Sequence, residues 1–264
     1  MERLQAQIAA QLRAPRQHWQ VLPEVDSTNT RCKQLALQGA PDGTMLLAER
    51  QTAGRGRLGR SFQSDRPLGL YLSVLWRFDE PAQRLLMLPA RGAVAACRAI
   101  ARVCDVSPQI KWPNDLVLQG KKVGGILTES VWDGDQSATV LGIGINVSHA
   151  IEDFASELRE LAASLQMLLG HTVQRAALAA ALMEELDCLR SEALEHSAAW
   201  LCEYREKCLT LGKEVQILTG DTRRPATALD VDDEFALVVR EQNGEIHAVR
   251  AGEVSVRGLY GYLP

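Results

Sequence analysis

Apolar and polar residues follow two different patterns along the chain. Residues 1–211 combine segments with helical spacing and short apolar runs typical of strands. Residues 212–264 contain short strand-like segments, and the turns between them hold Gly220-Asp221, Asp232-Asp233 and Asn243-Gly244. We therefore expect a larger α+β domain over residues 1–211 and a small β-barrel of five short strands over residues 212–264.

Within residues 1–211 the pattern predicts helices and strands that follow one another. Leu4, Ile8 and Leu12 recur at helical intervals, which predicts a first helix over residues 1–13. The other predicted helices run from Asp26 or Ser27 to Leu35, from Pro81 to Cys104 with a kink near Pro89, and over 156–169 and 174–207. The predicted strands cover 19–22, 44–50, 70–76, 139–147 and the two arms of a hairpin, 110–118 and 122–129.

The stretch from Gln51 to Phe62, QTAGRGRLGRSF, interleaves three glycines with three arginines. Its glycines spell G-x-G-x-x-G, but that dinucleotide fingerprint requires a following helix, and here the strand 70–76 follows. No Gly-Lys-Ser or Gly-Lys-Thr completes a phosphate-binding Walker loop. Arginine guanidinium groups can donate two hydrogen bonds to one anion, and glycines let the backbone approach it closely. The loop is therefore a candidate anion-binding site, and the alternative is a solvated surface loop.

Three further segments carry polar residues that invite a functional interpretation. Ser27, Thr28 and Asn29 open a predicted helix, where they either cap it or bind a polar ligand group. Gly142, Gly144 and Asn146 share one face of a strand, which predicts a pocket floor that a ligand can approach closely. The string Pro-Asn-Asp at residues 113–115 has lysines on both sides and is otherwise ordinary turn chemistry.

Composition narrows the class of protein. The chain is 46% hydrophobic and 23% charged with a net charge of −4, so bulk charge offers no case for nucleic-acid binding. The six cysteines show no metal-ligand spacing, and we expect them to be buried and reduced, as in a cytoplasmic protein. No stretch approaches the roughly 20 apolar residues of a membrane span.

Four motifs in order then resemble the biotin–protein ligases, the BirA-type biotin–[acetyl-CoA-carboxylase] ligases. They are EVDSTN, QTAGRGRLGRSF, KWPNDLVLQGKKVGGIL and GIGIN, which cover the chain densely from about Val21 to Val147, and GEVSVRG resembles that family's C-terminal module. The resemblance implies an α+β fold with a mixed central sheet and helices packed on one side, as in class II synthetases. It also implies that the C-terminal barrel is SH3-like.

The resemblance also implies an activity. Members of this family use ATP and Mg2+ to convert biotin into biotinyl-5′-AMP, and then transfer biotin to a lysine of a biotin carboxyl carrier protein. Residues 1–25 hold one helical pattern, whereas a helix-turn-helix module needs at least two helices, so we expect no DNA binding. The resemblance leaves open the oligomeric state, including a homodimer, and the metal ligands.

Site residues are carried over from the resemblance by position. The residues implied to bind biotin are Ser27, Thr28, Asn29, Gln51, Gly54, Arg55, Gly56, Arg57, Lys122, Gly125, Gly142 and Gly144. The residues implied to bind the nucleotide are Arg55, Arg57, Arg60, Asn114 and Asn146. Arg57, Lys122 and Asp115 are implied to be catalytic, with Asp115 taking or orienting the proton of the incoming lysine.

Two other functions compete with this one. A ligase of related fold would activate lipoate or octanoate, but Ser27, Thr28 and Gln51 suit a ureido ring better than a dithiolane. A biotin-responsive regulator that binds DNA is the second alternative, and the negative net charge argues against it.

Overall fold

A computed structural model describes residues 2–78, 87–133, 136–192, 197–219, 222–250 and 255–258. Its larger sheet has seven strands in the order β1-β2-β3-β7-β6-β5-β4. β1 and β2 are parallel, and the other neighbours are antiparallel, so the predicted mixed sheet is confirmed. The strands are β1 (Trp19–Val25), β2 (Thr44–Gln51), β3 (Gly69–Arg77), β4 (Gln109–Lys111), β5 (Asp115–Leu118), β6 (Lys121–Asp133) and β7 (Gln136–Asn146).

Helices cover this sheet unequally. They are α1 (Glu2–Ala9), α2 (Thr28–Leu37), α3 (Leu88–Cys104), α4 (Leu165–Leu169), α5 (Arg175–Glu192) and α6 (Ser197–Lys207). α3 and α5 pack on one face of the sheet together with α1, and this side holds the main hydrophobic core. α2 packs on the opposite face against a small apolar cluster. Most of the second face is therefore open for a site.

Several element boundaries differ from the predictions. β1 continues through Pro23 to Val25, because an edge strand tolerates a residue without an N–H group. The first arm of the predicted hairpin is two antiparallel strands, β4 and β5, separated by a turn at Trp112–Asn114. Pro89 lies in the first turn of α3 and causes no kink there, since the described helix begins at Leu88. The predicted helical residues 81–86 lie outside the described residues.

The helices predicted near the C-terminal half are also shorter than expected. Within 156–169 only Leu165–Leu169 is α-helical, preceded by a single 3-10 turn at Ser156–Leu158. The pattern over 174–207 corresponds to two helices, α5 and α6. Cys188 and Cys202 on these two helices are exposed, whereas Cys32, Cys97, Cys104 and Cys208 are buried as expected.

The C-terminal part forms a second, antiparallel sheet of five strands in the order β11-β10-β9-β8-β12. The strands are β8 (Glu214–Thr219), β9 (Thr222–Val231), β10 (Leu237–Glu241), β11 (Ile246–Val249) and β12 (Ser255–Gly258). The five predicted strands are thus present. Closure of this sheet into an SH3-like barrel, and a domain boundary between residues 211 and 212, stay predictions.

The second sheet is attached to the turn between β4 and β5. Trp112 Nε1 donates to the carbonyl oxygen of Phe235 at 3.0 Å, and the backbone N–H of Trp112 donates to Thr210 Oγ1 at 2.9 Å. The buried Tyr204 hydroxyl donates to the carbonyl of Pro113 at 3.0 Å. These contacts hold the turn that carries Asn114 and Asp115. None of the helices in the described part of the chain combines the length and apolar character needed to cross a membrane.

Candidate active site

A cavity of about 320 Å3 opens on the face of the larger sheet that carries α2. Its floor is set by strand register: Tyr71 of β3 pairs with Gly144 of β7, Gly144 with Gly125 of β6, and Gly125 with Asp115 of β5. Residues paired in this way point to the same face, so a row from a tyrosine to a carboxylate crosses four strands. The two glycines in the middle of the row keep the floor low.

The floor glycines make room for other side chains of the protein. A methyl carbon added to Gly142 would lie 2.0 Å from Asn29 Oδ1, and one added to Gly144 would lie 2.8 Å from the ring of Phe62. Both positions therefore exclude larger residues. The prediction of a stripped strand face is correct, but the first groups to fill it are an amide and an aromatic ring.

A buried polar network forms one end of the cavity. Gln51 Oε1 accepts hydrogen bonds from the backbone N–H of Thr28 at 2.8 Å and from Thr28 Oγ1 at 3.1 Å. Ser73 Oγ lies 2.7 Å from Thr28 Oγ1 and 2.6 Å from Asn29 Oδ1. Ser27 is buried at the start of α2, but its side chain makes no capping hydrogen bond. Capping alone therefore does not explain this polar run.

The arginine-rich segment, residues 54–62, is a small hairpin that we call the arginine hairpin. The N–H of Phe62 donates to the carbonyl of Gly54 at 2.9 Å, and the N–H of Gly56 donates to that of Arg60 at 2.7 Å. Leu58 (φ 54°) and Gly59 (φ 73°) form its tip in the left-handed region. Phe62 fastens the hairpin to the sheet, because its ring lies over Gly144 and edge-on to Tyr71.

Gly54 is the one predicted site residue that does not line the cavity. A methyl carbon there would lie 2.1 Å from Ser64 Oγ and 2.3 Å from the carbonyl oxygen of Phe62. Glycine is therefore required at Gly54, where the two ends of the arginine hairpin come together. Gly54 lies at the base of the hairpin outside the cavity lining, whereas the other predicted biotin and nucleotide residues line the cavity.

Cationic side chains gather at the other end of the cavity. Lys122 Nζ forms an ion pair with Asp115, and both side chains are partly exposed to the cavity. Arg57 Nη1 donates to Asn114 Oδ1 at 3.3 Å. Burial lowers the pKa of Arg57 and outweighs the opposing effect of the Asp115 charge. A half-buried cation of this kind gains from an anionic ligand that neutralises it.

Asn114 and Asn146 are buried and partly used to hold the backbone. Asn114 Nδ2 donates to the carbonyl of Ile126, and Asn146 Nδ2 donates to that of Ala163 at 3.2 Å. Each amide thereby has a defined orientation at the cavity wall. Both residues line the cavity beside the cations, as the nucleotide prediction requires.

An apolar wall of the cavity escaped sequence reasoning. It includes Leu127, Phe154, Leu158, Leu161 and Ala162. The last three lie in a segment predicted to be helical, but the backbone from Leu161 to Ala163 instead pairs with Lys122 at the start of β6. The N–H of Lys122 donates to the carbonyl of Leu161 at 2.8 Å, and the N–H of Ala163 donates to that of Lys122 at 3.0 Å. Helical spacing in the sequence does not predict such backbone pairing with a strand.

In the ranges that the structure describes, no group of three or more His, Cys, Asp or Glu side chains is placed to bind a metal ion. Behind the cavity, Tyr71 Oη lies 3.5 Å from His149 Nε2, and burial lowers the pKa of this histidine. The cavity thus offers a polar end, a cationic end and an apolar wall.

Comparison with known proteins gives consistent matches. The model of the Biotin/lipoate A/B protein ligase family matches residues 21–146, and that of the Biotin protein ligase C terminal domain matches residues 210–257. The chain is 33% identical to the biotin–[acetyl-CoA-carboxylase] ligase of Mycobacterium tuberculosis over 89% of this chain and 87% of that protein. It is 32% identical to the bifunctional ligase/repressor BirA of Bacillus subtilis over 83% of this chain and 68% of that protein.

Solved structures agree with the sequence matches. The biotin protein ligase of Aquifex aeolicus in complex with biotin and ATP superposes with a TM-score of 0.79 at 30% identity. The superposition covers 92% of this chain and 100% of that chain. The fold described above is therefore the fold of that ligase.

Proposed function

Because the chain belongs to the biotin/lipoate A/B protein ligase family, we propose that its cavity is where biotin and ATP react. The protein is a biotin–protein ligase: it activates biotin with ATP to biotinyl-5′-AMP and transfers biotin to a lysine of a carrier protein. One observation carries the assignment of the site. A single cavity joins a buried hydrogen-bonding network to a cationic cluster over a glycine floor.

The polar end suits the ureido ring of biotin. That ring offers N–H donors and a carbonyl acceptor, and Ser27, Thr28 and Asn29 supply hydroxyl and amide groups of both kinds. Gln51 would mainly orient Thr28, because its Oε1 atom already accepts a hydrogen bond from Thr28 and its Nε2 atom donates to Ser64 Oγ at 3.1 Å. A buried polar site of this sort disfavours a dithiolane ring, which would leave these groups unpaired.

The cationic end suits the first chemical step. An oxygen of the biotin carboxylate attacks the α-phosphorus of ATP, a P–O bond to the β-phosphate breaks, and pyrophosphate leaves. Lys122 and Arg57 would lower the repulsion between the two anions, and catalysis consists mainly of positioning and charge stabilisation. No covalent enzyme intermediate is needed. Mg2+ would arrive with the phosphates of ATP, since proteins usually bind this ion through substrate phosphates and one or two carboxylates.

The arginine hairpin would protect the product of that step. Biotinyl-5′-AMP is a mixed anhydride that water hydrolyses, and a hairpin over the cavity excludes water. Arg55, Arg57 and Arg60, which belong to the hairpin, all line the cavity. Phe62 would supply the apolar contact that holds the hairpin over the biotin end.

The second step needs a neutral lysine from the carrier. Its amine attacks the biotinyl carbonyl carbon, the bond to AMP breaks, and the amine loses a proton. Asp115 lies at the cavity in an ion pair with Lys122, so we assign to it the acceptance or orientation of that proton. The partner would be the biotin carboxyl carrier protein of a biotin-dependent carboxylase. A homodimer, the lack of DNA binding and a cytoplasmic location stay predictions.

Mass spectrometry of an accepting domain tests the function directly. The protein is incubated with MgATP, the carrier domain of an acetyl-CoA carboxylase and either biotin or lipoate. We expect the carrier to gain one biotinyl group, little lipoyl group, and the enzyme to keep its unmodified mass. Preferential lipoylation, or a transfer-competent biotinyl or adenylyl enzyme, would contradict this assignment.

A further inference from the structure

Glu129 of β6 lies just outside the cavity and contacts both Asn29 at the polar end and Arg55 of the arginine hairpin. It shares the cavity face of the strand with Gly125 and Leu127, which line the cavity. Its Oε1 atom is 2.8 Å from Lys33 Nζ and 3.3 Å from Arg55 Nη2. Its Oε2 atom accepts a hydrogen bond from Asn29 Nδ2 at 3.0 Å. One carboxylate thus has three donors.

Helical geometry explains why two of these donors meet at one acceptor. Asn29 and Lys33 are four residues apart on α2, so their side chains lie on the same face of that helix. α2 packs across β6 and β7, which brings this face over Glu129. Arg55 reaches the same carboxylate from the base of the arginine hairpin.

The contacts fix the orientation of the Asn29 amide. Asn29 Nδ2 donates to Glu129, while its Oδ1 atom accepts from Ser73 Oγ at 2.6 Å. Asn29 Nδ2 also donates to the carbonyl of Leu127 at 3.3 Å. Reversing the amide would place its oxygen against two acceptors, the Glu129 carboxylate and that carbonyl. Burial opposes ionisation of Glu129, but hydrogen bonds from Lys33 and Asn29 and the charges of Lys33 and Arg55 lower its pKa. Glu129 is therefore a carboxylate at neutral pH.

We propose that Glu129 is a positioning residue that couples the biotin end of the cavity to the arginine hairpin. It orients Asn29 for the ligand and holds Arg55 near the sheet until an anion replaces the carboxylate as its partner. Lys33 remains beside Glu129 when Arg55 turns to the anion, so the carboxylate keeps one neighbouring positive charge. This inference rests on the assignment of biotin to the polar end.

Glu129→Gln tests the coupling with little change in shape. A glutamine side chain has one acceptor oxygen and one donor NH2, whereas the site presents donors on both sides. We expect the KM for biotin in pyrophosphate exchange to rise about fivefold with kcat changed by less than about twofold. In the unliganded protein we expect trypsin to cleave after Arg55 about threefold faster, as identified by peptide mass.

Two further variants separate this role from folding. Lys33→Met combined with Glu129→Gln removes the lysine that the single variant leaves without its carboxylate, and we expect the same two changes. Glu24→Gln is the matched control, since it makes the same charge change in an exposed ion pair with Arg50 at 2.7 Å. We expect it to alter neither biotin KM nor the cleavage rate.

Each outcome decides between the two levels of inference. If the parent protein catalyses biotin-dependent pyrophosphate exchange but the Glu129 variants match it in both readouts, the coupling is wrong and the function stands. A change in only one readout likewise overturns the coupling. If the parent protein shows no exchange with biotin, the assignment of biotin to the cavity fails, and this inference fails with it.

Discussion

The two faces of strand β7 have different surroundings. On one face of the larger sheet, Leu141, Ile143 and Ile145 are buried in the main core. On the other face, Gly142, Gly144 and Asn146 line the cavity. The two sets alternate along one strand, so a single backbone serves packing and ligand binding at once. The core face is filled with large apolar side chains. The cavity face is kept low by glycines, and its remaining groups are polar.

This difference teaches how the site is made rigid. The core face packs against α3. A methyl carbon added to Gly92 of this helix would lie 3.1 Å from the Leu141 side chain, so glycine lets the helix pack closely on the sheet. The cavity face then needs no large side chains of its own to hold its shape. Substitutions on neighbouring residues of β7 should therefore separate stability from ligand binding.

The largest effect is expected on the core face. Leu141→Ala would remove a fully buried side chain and leave a cavity against α3, which should lower the free energy of unfolding by about 3 kcal/mol. The KM for biotin should remain near that of the parent. Urea denaturation and pyrophosphate exchange measure the two quantities, and a raised KM at unchanged stability would show that the two faces are not separable.

The adjacent residue on the cavity face should behave in the opposite way. Gly142→Ala would place a methyl group 2.0 Å from the present position of Asn29 Oδ1, so the amide must move away. We expect kcat/KM for biotin to fall by about 100-fold with little change in the urea midpoint. Activity equal to that of the parent would show that the Asn29 amide can leave its place without cost to binding.

A smaller effect is expected from Lys122→Ala at the cationic end. It removes the partner of Asp115 and one of the positive charges that face the cavity. We expect adenylation to fall by about tenfold, equivalent to roughly 1.4 kcal/mol of transition-state stabilisation. Lys121→Ala is the matched control, because the ammonium group of Lys121 lies beside Glu160 and Lys121 does not line the cavity. Equal rates in all three proteins would show that Lys122 is merely solvated.

The smallest effect concerns the arginine hairpin, which belongs to neither face but lies over the floor. Leu58 at its tip is 68% exposed, and Phe62 is its main apolar contact, so we expect trypsin to reach Arg57 and Arg60 in the unliganded protein. Biotin together with MgATP should slow this cleavage by about threefold. Cleavage at the same rate with and without ligands would mean that the hairpin does not close over the reaction.

Local patterns account for most of the fold. Short apolar runs predicted the strands, although β4 and β5 were predicted as one arm of a hairpin. Helical patterns predicted α1 and α3 and joined α5 and α6 into one segment. The errors arose where tertiary contacts override local preference. Residues 161–163 run beside β6 because the backbone of Lys122 supplies hydrogen bonds, although their sequence was predicted to be helical.

The candidate site follows the same division. The order of the motifs and their chemistry indicated which segments carry it, and all of the predicted site residues except Gly54 line one cavity. Their individual roles stay predictions. Leu161 and Glu129 were missed, because each owes its position to a partner far away in the chain.

By itself, the sequence determined the residue types at each place: glycines on alternate positions of β7, arginines between glycines before β3, and hydroxyl and amide groups at the start of α2. These follow from side-chain periodicity and turn chemistry, which act over a few residues. Only the tertiary structure decided what fills the space above each glycine. Packing of α2 across the sheet places Asn29 against Gly142 and brings Asn29 and Lys33 to Glu129. The arginine hairpin places Phe62 against Gly144 and brings Arg55 to the same carboxylate. Such contacts depend on distances between segments that are far apart in sequence, and no local pattern encodes those distances.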